Sequence, residues 1–277
     1  MSMTIKGVDT GATITQDAAD ILKVEGYSFV GRYLSKTSGI NAWKVLKADE
    51  AMRIHNAGLA ILLIWETSGS RAKAGANAGK EDGTAAKDLA HSLGVPGGTI
   101  YFAVDYDAPK SDYTAIEAYL REARSACAPY NAGVYGPKHI VDEMFNRGAV
   151  RYFMQCVAWS KGLSEHADIY QWQGQDGAEA KAFGEKLEFK VDLDKAFDCR
   201  SSGMWMPLYN QYDDGDGGSI YAPVQNSQFA ESESVKWMKD HGLYPKNKTH
   251  SDVTWDELAD VLYKIIEEKK FSGLLDD

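Results

Sequence analysis

Short apolar runs alternate with amphipathic stretches along the first two-thirds of the chain, and this alternation restricts the fold most strongly. The apolar runs occupy residues 5–9, 28–34, 59–65, 99–105, 132–135, 152–158, 167–172 and 188–193. Most are apolar at consecutive positions, which is typical of parallel strands covered on both faces. Helices are expected at residues 16–25, 45–56, 84–92, 113–128 and 138–146. Eight strands in this order predict an irregular (β/α)8 TIM-type barrel, with short or missing helices after strands six and seven. The alternative is an open doubly wound sheet.

Acidic side chains recur where the predicted strands end, and functional side chains of parallel barrels project from these ends. The candidate catalytic acids are Asp9, Glu66, Asp105, Asp107 and Asp192. The candidate substrate-binding residues are Arg32, Tyr33, Trp65, Tyr106, Tyr135, Trp159, Gln171 and Trp172. A glycosidase needs a pair of carboxyl groups, and aromatic rings pack well against sugar rings. The pattern therefore predicts a cleft for a sugar polymer, although single acids at strand ends also pair with arginine or cap helices, as we expect for Asp194.

Composition excludes several other classes of protein. The net charge is -10, from 40 acidic and 30 basic residues, which argues against a nucleic-acid partner. The cysteines Cys127, Cys156 and Cys199 are too few for a disulfide framework and are expected to be buried fillers. None of the six histidines falls at a predicted strand end, so we expect no histidine-rich metal site and no Ser-His-Asp triad. We expect no cofactor and no metal, while a carboxylate site for a hard cation stays open.

The composition changes after the eighth predicted strand. Residues 206–228 are polar and rich in glycine, which predicts a linker after a barrel domain at residues 1–205. Two amphipathic helices are expected at residues 229–241 and 254–269, the second beginning with a Thr254–Glu257 capping box. Residues 229–277 are therefore predicted to form a small all-α module.

The order of the strand motifs is similar to that of a known family. The motifs are G-V-D-T-G (7–11), G-R-Y-L (31–34), G-L-A-I-L-L-I-W-E (58–66), I-Y-F-A-V-D-Y-D (100–107), G-V-Y-G (133–136), Q-x-x-A-W-S (155–160), I-Y-Q-W (169–172) and V-D-L-D (191–194). Over residues 4–200 they resemble the glycoside-hydrolase-like domain of unknown function found in phage endolysins and secreted Gram-positive proteins. A more distant resemblance is to the family 25 lysozymes, which are muramidases. Residues 235–238 and 253–259 resemble one surface-layer-homology repeat.

The resemblance implies a (β/α) barrel that acts on the glycan strand of peptidoglycan. Muramidases carry D-x-E after strand four, with the Glu as acid, and Asp107 stands at that position here. Because its side chain is one methylene shorter, Glu66 is an alternative proton donor. Asp9 matches the first-strand Asp of the muramidase pattern, and Asp192 matches the last-strand Asp.

The sequence therefore predicts a peptidoglycan hydrolase of the N-acetylmuramidase type, a phage or prophage endolysin. Glu66 or Asp107 would protonate the glycosidic oxygen, while Asp9 or Asp192 would orient water or stabilise charge on the sugar. The alternatives are an inactive protein that binds cell-wall glycan, and a hydrolase of another polysaccharide or an ester. The C-terminal module is expected to bind a wall polymer or to form a homodimer.

Residues 1–6 lack a Sec-type signal, and no run approaches the ~18 apolar residues that cross a bilayer. We therefore expect no membrane insertion. We also expect synthesis in the cytoplasm and release to the cell wall through a pore made by another protein.

Overall fold

The computed structural model describes residues 3, 5–38, 41–207, 209–213 and 219–223. The strands of the first 200 residues are β1 (Ile5–Asp9), β2 (Tyr27–Leu34), β3 (Ala60–Trp65), β4 (Thr99–Ala103), β5 (Asn131–Gly136), β6 (Tyr152–Gln155), β7 (Ile169–Gln173) and β8 (Asp192–Ala196). The helices are α1 (Gln16–Val24), α2 (Ala48–Asn56), α3 (Ala76–Ser92), α4 (Tyr113–Ala126), α5 (Lys138–Asn146) and α6 (Ala178–Leu187). None of the helices in these ranges is long and apolar enough to span a membrane.

The eight strands close into one barrel in sequence order, which confirms the predicted barrel. Strands β1 to β7 are parallel, but β8 is antiparallel to both β1 and β7, so the expectation of eight parallel strands is wrong. The predicted eighth strand at residues 188–193 is also displaced, because Asp192 begins β8 instead of ending it. Asp192 still lies at the mouth, beside the end of β1, because the strand that it begins runs in the opposite direction.

The segment that contains α6 joins the end of β7 to the start of β8 at the mouth. The backbone N–H of Gln175, before α6, donates to Asp192 Oδ1, after α6, so the chain leaves and re-enters the barrel at the same end. The helix closes with Glu188 in a left-handed conformation (φ 62°). The expected absence of a helix after strand six agrees with residues 156–168. The same expectation after strand seven is wrong, since α6 has ten residues.

Helix α3 begins at Ala76 instead of residue 84, because two glycines that look like helix breakers serve in helix packing. A Cβ on Gly83 would lie 2.5 Å from the carbonyl oxygen of Ala123 in α4, and one on Gly79 would collide with the carbonyl of Tyr119. Glycine in a helix costs ~1 kcal/mol relative to alanine, but here it allows two backbones to approach closely.

Large side chains fill the lower barrel. The ring of Phe29 occupies the space in front of Gly7, and a Cβ on Gly133 would lie 2.7 Å from Tyr101 Cδ1. Phe29, Tyr101, Leu62 and their neighbours are fully buried in this inner cluster. The barrel is therefore a packed core with side-chain chemistry confined to its mouth, as in other closed eight-stranded barrels.

The segment after the barrel contains an antiparallel hairpin. Strands β9 (Tyr209–Asp213) and β10 (Ser219–Pro223) pair within residues that the sequence analysis assigned to a linker. The chain divides into two units after residue 224, and residues 225–277 lie outside the described ranges. The helices expected at 229–241 and 254–269, and the module that they would form, stay predictions.

Candidate active site

The mouth of the barrel is formed by the carboxyl ends of β1 to β7 and by the amino end of β8. Asp9 ends β1, Glu66 follows β3, Asp105 follows β4 and Asp192 begins β8. The structure therefore brings four of the five predicted acids together. These acids are also close enough for their charges to interact. Besides burial, the charges of Glu66 and Asp9 both raise the pKa of Asp105.

Asp9 lies at the centre of a buried hydrogen-bond chain. Its carboxylate accepts a hydrogen bond from Tyr33 Oη at 2.9 Å and another from Gln171 Nε2 at 2.7 Å. Tyr135 Oη donates to Gln171 Oε1 at 3.3 Å, which orients the amide. Burial raises the pKa of Asp9, and the two hydrogen bonds oppose that effect by stabilising the anion. Three predicted substrate-binding residues thus hold one of the predicted acids.

Asp192 is the antiparallel partner of Asp9 across β1 and β8. Its Oδ1 accepts the N–H of Gln175 at 2.5 Å. Burial first, and then the charge of Asp9, raise the pKa of Asp192 to about 8. A carboxyl group with this pKa is protonated at neutral pH, which is the state required of a proton donor.

Asp194 lies one inward-facing position below Asp192 and is almost fully buried. Neither of its carboxyl oxygens has a hydrogen-bond partner among the described residues. Burial, followed by the charges of Asp9 and Asp192, raises its pKa well above the usual range of an aspartate. This shift favours the neutral form of Asp194, which would add no negative charge to the pair above it.

Asp105 stands on the opposite side of the mouth. Strands β4 and β8 are four positions apart in an eight-stranded barrel, so Asp105 and Asp192 face each other across the opening. The backbone N–H of Asp105 donates to Gly69 O at 2.8 Å, which fixes the turn that carries it. Burial, and then the charge of Glu66, raise the pKa of Asp105 to about 6, while Lys44 opposes them. Asp105 is therefore ionised at neutral pH, when Asp192 is protonated.

Lys44 is a functional candidate that the sequence analysis missed. It ends a short 3-10 helix (Ala42–Lys44) after β2, and its ammonium group forms an ion pair with Glu66 Oε2. The same Nζ lies 4.1 Å from the ring centroid of Tyr33. Both side chains of the ion pair are largely shielded from solvent, which strengthens the interaction. No sequence pattern marks Lys44, because it lies beyond the strand end, where the alternation of inward and outward side chains stops.

Asp107 does not join the acid cluster. Its side chain is 71% exposed and its Oδ1 lies 3.9 Å from His139 Nε2, outside the group that perturbs Asp105. The Asp-Tyr-Asp segment leaves the barrel after Asp105, so only its first acid is enclosed by the mouth.

Arg32 and Trp65 were assigned to substrate binding, and this assignment is wrong. Arg32 is fully buried and forms an ion pair with Glu50 of α2, with Nε 2.6 Å from Oε1. Trp65 is buried among the side chains that pack between strands and helices. Successive residues of a strand face opposite sides, so the neighbours Tyr33 and Glu66 face the mouth while Arg32 and Trp65 face the helices.

Tyr106 and Trp172 are partly buried and pack against the outer hydrophobic cluster. Tyr106 Oη donates to Asp112 Oδ2 at 2.9 Å, and Trp172 packs against the outer layer with Lys195 Nζ 4.3 Å from its ring centroid. The assignment of Trp172 to substrate binding is therefore corrected, while that of Tyr106 stays a prediction. Trp159 is 48% exposed in the loop after β6, where a substrate can reach it.

An acid-lined mouth on a closed mixed barrel defines the chain as a glycoside-hydrolase-like domain, and comparison with known proteins agrees. The model of the Rv2525c-like, glycoside hydrolase-like domain family matches residues 20–195, and the chain belongs to this family. The family resemblance noted from the sequence is thereby confirmed.

Relatives and solved structures extend this comparison. YbfG of Bacillus subtilis, an uncharacterized protein, is 36% identical over 164 residues, which cover 54% of this chain and 22% of YbfG. The chain thus corresponds to less than a quarter of that relative. Rv2525c of Mycobacterium tuberculosis has the same fold with a TM-score of 0.61 and 22% identity, covering 73% of this chain and 98% of Rv2525c. An uncharacterized protein of B. stearothermophilus has a TM-score of 0.51 and 21% identity, covering 71% of this chain and 97% of that protein.

The expectation about cellular location is wrong. Rv2525c is a Tat-secreted protein, which points to export with a signal and not to a cytoplasmic protein released through a pore made by another protein.

Proposed function

We propose that this domain is a glycosidase that hydrolyses the glycan strand of bacterial peptidoglycan. The observation that carries the proposal is the pair of carboxyl groups facing each other across the mouth, with a pKa of about 6 for Asp105 and about 8 for Asp192. Two carboxyl groups whose environments separate their pKa values are the arrangement that acid/base hydrolysis of a glycosidic bond requires.

In the proposed reaction, Asp192 donates its proton to the glycosidic oxygen as the bond between that oxygen and the anomeric carbon breaks. The Asp105 carboxylate accepts a proton from water, whose oxygen adds to the anomeric carbon. Asp9 has a supporting role, because its negative charge beside Asp192 keeps the donor protonated. Proton return from Asp105 to Asp192 through solvent restores the starting state.

The assignment of the proton donor differs from the two sequence candidates. One oxygen of Glu66 is already engaged by Lys44, and the side chain of Asp107 is 71% exposed and lies outside the acid cluster. Asp192 has both the burial and the neighbouring negative charge that favour the protonated form. We assign Glu66 and Lys44 to substrate binding, as a charge-paired polar group that can contact sugar hydroxyls.

The test uses the purified full chain and isolated Gram-positive cell walls, with new reducing ends as the readout. Asp192→Asn and Asp105→Asn should each reduce the rate at least 100-fold, since each removes one acid/base group. The control is Asp49→Asn on the exposed surface of α2, where the carboxylate forms an ion pair with Arg53 of the same helix. Wild-type rates in both mouth variants would refute the mechanism.

A second candidate function is binding of cell-wall glycan without hydrolysis. Two observations favour it: the ion pair that occupies Glu66, and the exposed Asp107 at the position where muramidases carry their acid. This candidate predicts that the protein sediments with cell walls while no reducing ends form at any pH from 5 to 9. A panel of other purified polysaccharides, assayed in the same way, separates both candidates from a hydrolase of a different glycan.

The proposed site of action is outside the cytoplasm. Support comes from Rv2525c, which is Tat-secreted and shares the barrel. For residues 229–277 we keep the proposal of a module that binds a wall polymer or dimerises. Removal of these residues should weaken sedimentation with walls, or convert a dimer into a monomer as measured by analytical ultracentrifugation, while the cleavage of soluble fragments is unchanged.

A further inference from the structure

Two exposed tryptophans stand at opposite sides of the mouth. Trp43 lies in the 3-10 helix after β2, and Trp159 lies in the loop after β6. In the closed strand order, β2 and β6 are four positions apart, as are β4 and β8. The line that joins the two indoles therefore crosses the line that joins Asp105 to Asp192.

Both rings are unusually accessible to solvent. Trp43 is 66% exposed and Trp159 is 48% exposed, whereas Trp65 and Trp205 are buried. A large aromatic side chain normally gains ~2–3 kcal/mol or more by burial, so two exposed indoles at one rim call for a functional reason. Isolated exposed aromatics occur on many proteins, but these two flank the acid pair.

The structure holds Trp43 in place from below. A Cβ on Gly11 would lie 2.5 Å from Trp43 Cη2, so the indole rests directly on the backbone of the loop after β1. The next residue, Lys44, is fixed by its ion pair with Glu66, and Asn41 Nδ2 donates to Thr67 O at 2.9 Å. The ring is therefore a fixed surface at the rim and not a free side chain.

Trp159 is held by a strained backbone. Its φ is +55°, a conformation that a bulky residue adopts at a cost of ~1–3 kcal/mol and that tends to persist at functional positions. The following residue anchors the loop, because Ser160 Oγ donates to Cys156 O at 2.7 Å and accepts the N–H of Lys138 at 2.9 Å. The Lys138 N–H begins α5 at the mouth end of β5, which places the anchored loop at the same rim.

We propose that Trp43 and Trp159 are the two end platforms of one extended sugar-binding groove, with the acid pair at its centre. Each indole face packs against the apolar face of a pyranose ring, and the bound glycan runs from the β2 side to the β6 side across Asp105 and Asp192. The inference deepens the proposed function and rests on its assignment of a glycan ligand. It requires an oligosaccharide long enough to reach both rings, so a disaccharide contacts at most one platform.

The experiment measures binding separately from cleavage. The full chain carrying Asp192→Asn is titrated calorimetrically with soluble peptidoglycan fragments of two and of eight sugars. Trp43→Ala and Trp159→Ala, each added to this background, should weaken octasaccharide binding at least 10-fold, and Trp→Phe at each position should restore most of it. For the disaccharide, at most one of the two alanine variants should have an effect.

The matched control is Phe145→Ala, which removes an aromatic ring of similar exposure (46%) from α5, where it stacks on His166 away from the acid cluster. Thermal unfolding confirms that each variant is folded at the titration temperature. Unchanged octasaccharide affinity in both tryptophan variants would overturn the inference, as would the absence of octasaccharide binding by the parent protein. If the tryptophan variants bind the octasaccharide more weakly while the wild-type protein forms no reducing ends, the sugar-binding groove is supported and the proposed hydrolysis is refuted.

Discussion

The unusual pKa of Asp192 makes a prediction about stability that is independent of any substrate. Replacing Asp192 by Asn keeps the shape of the side chain and keeps Oδ1 as the acceptor for the Gln175 N–H. It removes a carboxyl group that burial and the charge of Asp9 disfavour in its ionised form. We therefore expect Asp192→Asn to be more stable than wild type at pH 8, although it is less active.

The magnitude follows from the difference between the folded and unfolded pKa values. Asp192 titrates near 3.8 when unfolded and at about 8 in the folded protein. Between these values the folded state holds a proton that the unfolded state has lost, so wild-type stability falls as pH rises. The slope for one group is ~1.4 kcal/mol per pH unit, so the loss between pH 4 and pH 8 is on the order of 5 kcal/mol. Below pH 4 the carboxyl group is protonated in both the folded and the unfolded state, so it no longer contributes to the difference in unfolding free energy between the two proteins.

Urea unfolding of the two proteins at pH 4, 6 and 8 measures this difference. The gain in unfolding free energy of Asp192→Asn over wild type should increase across the series by several kcal/mol. Asp49→Asn is the control, because the Asp49 pKa is lowered by its hydrogen bond from Arg53, so its removal gives no gain at high pH. A constant offset between Asp192→Asn and wild type from pH 4 to pH 8 would refute the assignment of a proton to Asp192.

Three further predictions concern the mouth. The rate of reducing-end formation should depend on pH as a bell-shaped curve, rising near the pKa of Asp105, about 6, and falling near that of Asp192, about 8. A plateau that extends to pH 10 would contradict the roles assigned to these two residues. Lys44→Met removes the charge that lowers the pKa of Asp105, so the acidic limb of the same profile should move to higher pH; an unmoved limb would exclude that coupling. Gly31→Ala places a Cβ 2.6 Å from the Cβ of Asp9. It should lower the free energy of unfolding in urea by ~1–3 kcal/mol and reduce activity in the wall assay at least 10-fold. Wild-type values in both measurements would contradict the close packing.

The sequence predicted the barrel because its signal is repeated eight times. Each of β1 to β7 falls within two residues or so of a predicted start, since consecutive buried apolar residues identify a strand without reference to its neighbours. The direction of a strand leaves no such signal in the sequence, because β8 has the same alternation of inward and outward residues whether it is parallel or antiparallel to its neighbours. Helix α6 could have been predicted from its run of helix-forming residues at 178–187, but the glycine within it obscured the pattern.

The acids of the mouth could be predicted from the sequence because the ends of the strands could be predicted. Asp9, Glu66 and Asp105 lie within two residues of the ends of β1, β3 and β4, and the structure places them together. The assignment of Arg32 and Trp65 to substrate binding was wrong, and the sequence already contained the reason. They are one residue from Tyr33 and Glu66, so they face the other side of the sheet, and a strict alternation would have excluded them. The loop residues Lys44 and Trp43 carry no periodic signal, because their positions depend on tertiary contacts.

The reversed strand is what gives the mouth its chemistry. If β8 ran parallel to its neighbours, Ala196 would lie at the mouth and Asp192 at the closed end, remote from Asp9. The antiparallel register instead places Asp192 directly opposite Asp9. A like-charge pair across two strands destabilises a sheet when both members are ionised. The barrel accommodates the pair by giving hydrogen-bond donors to Asp9 and a proton to Asp192, so burial and the unfavourable pairing together create the proton donor. Two acids paired at one rim cost stability, and such a cost is typical of a catalytic or ligand-binding site, so the presence of both is a structural argument that the mouth is one.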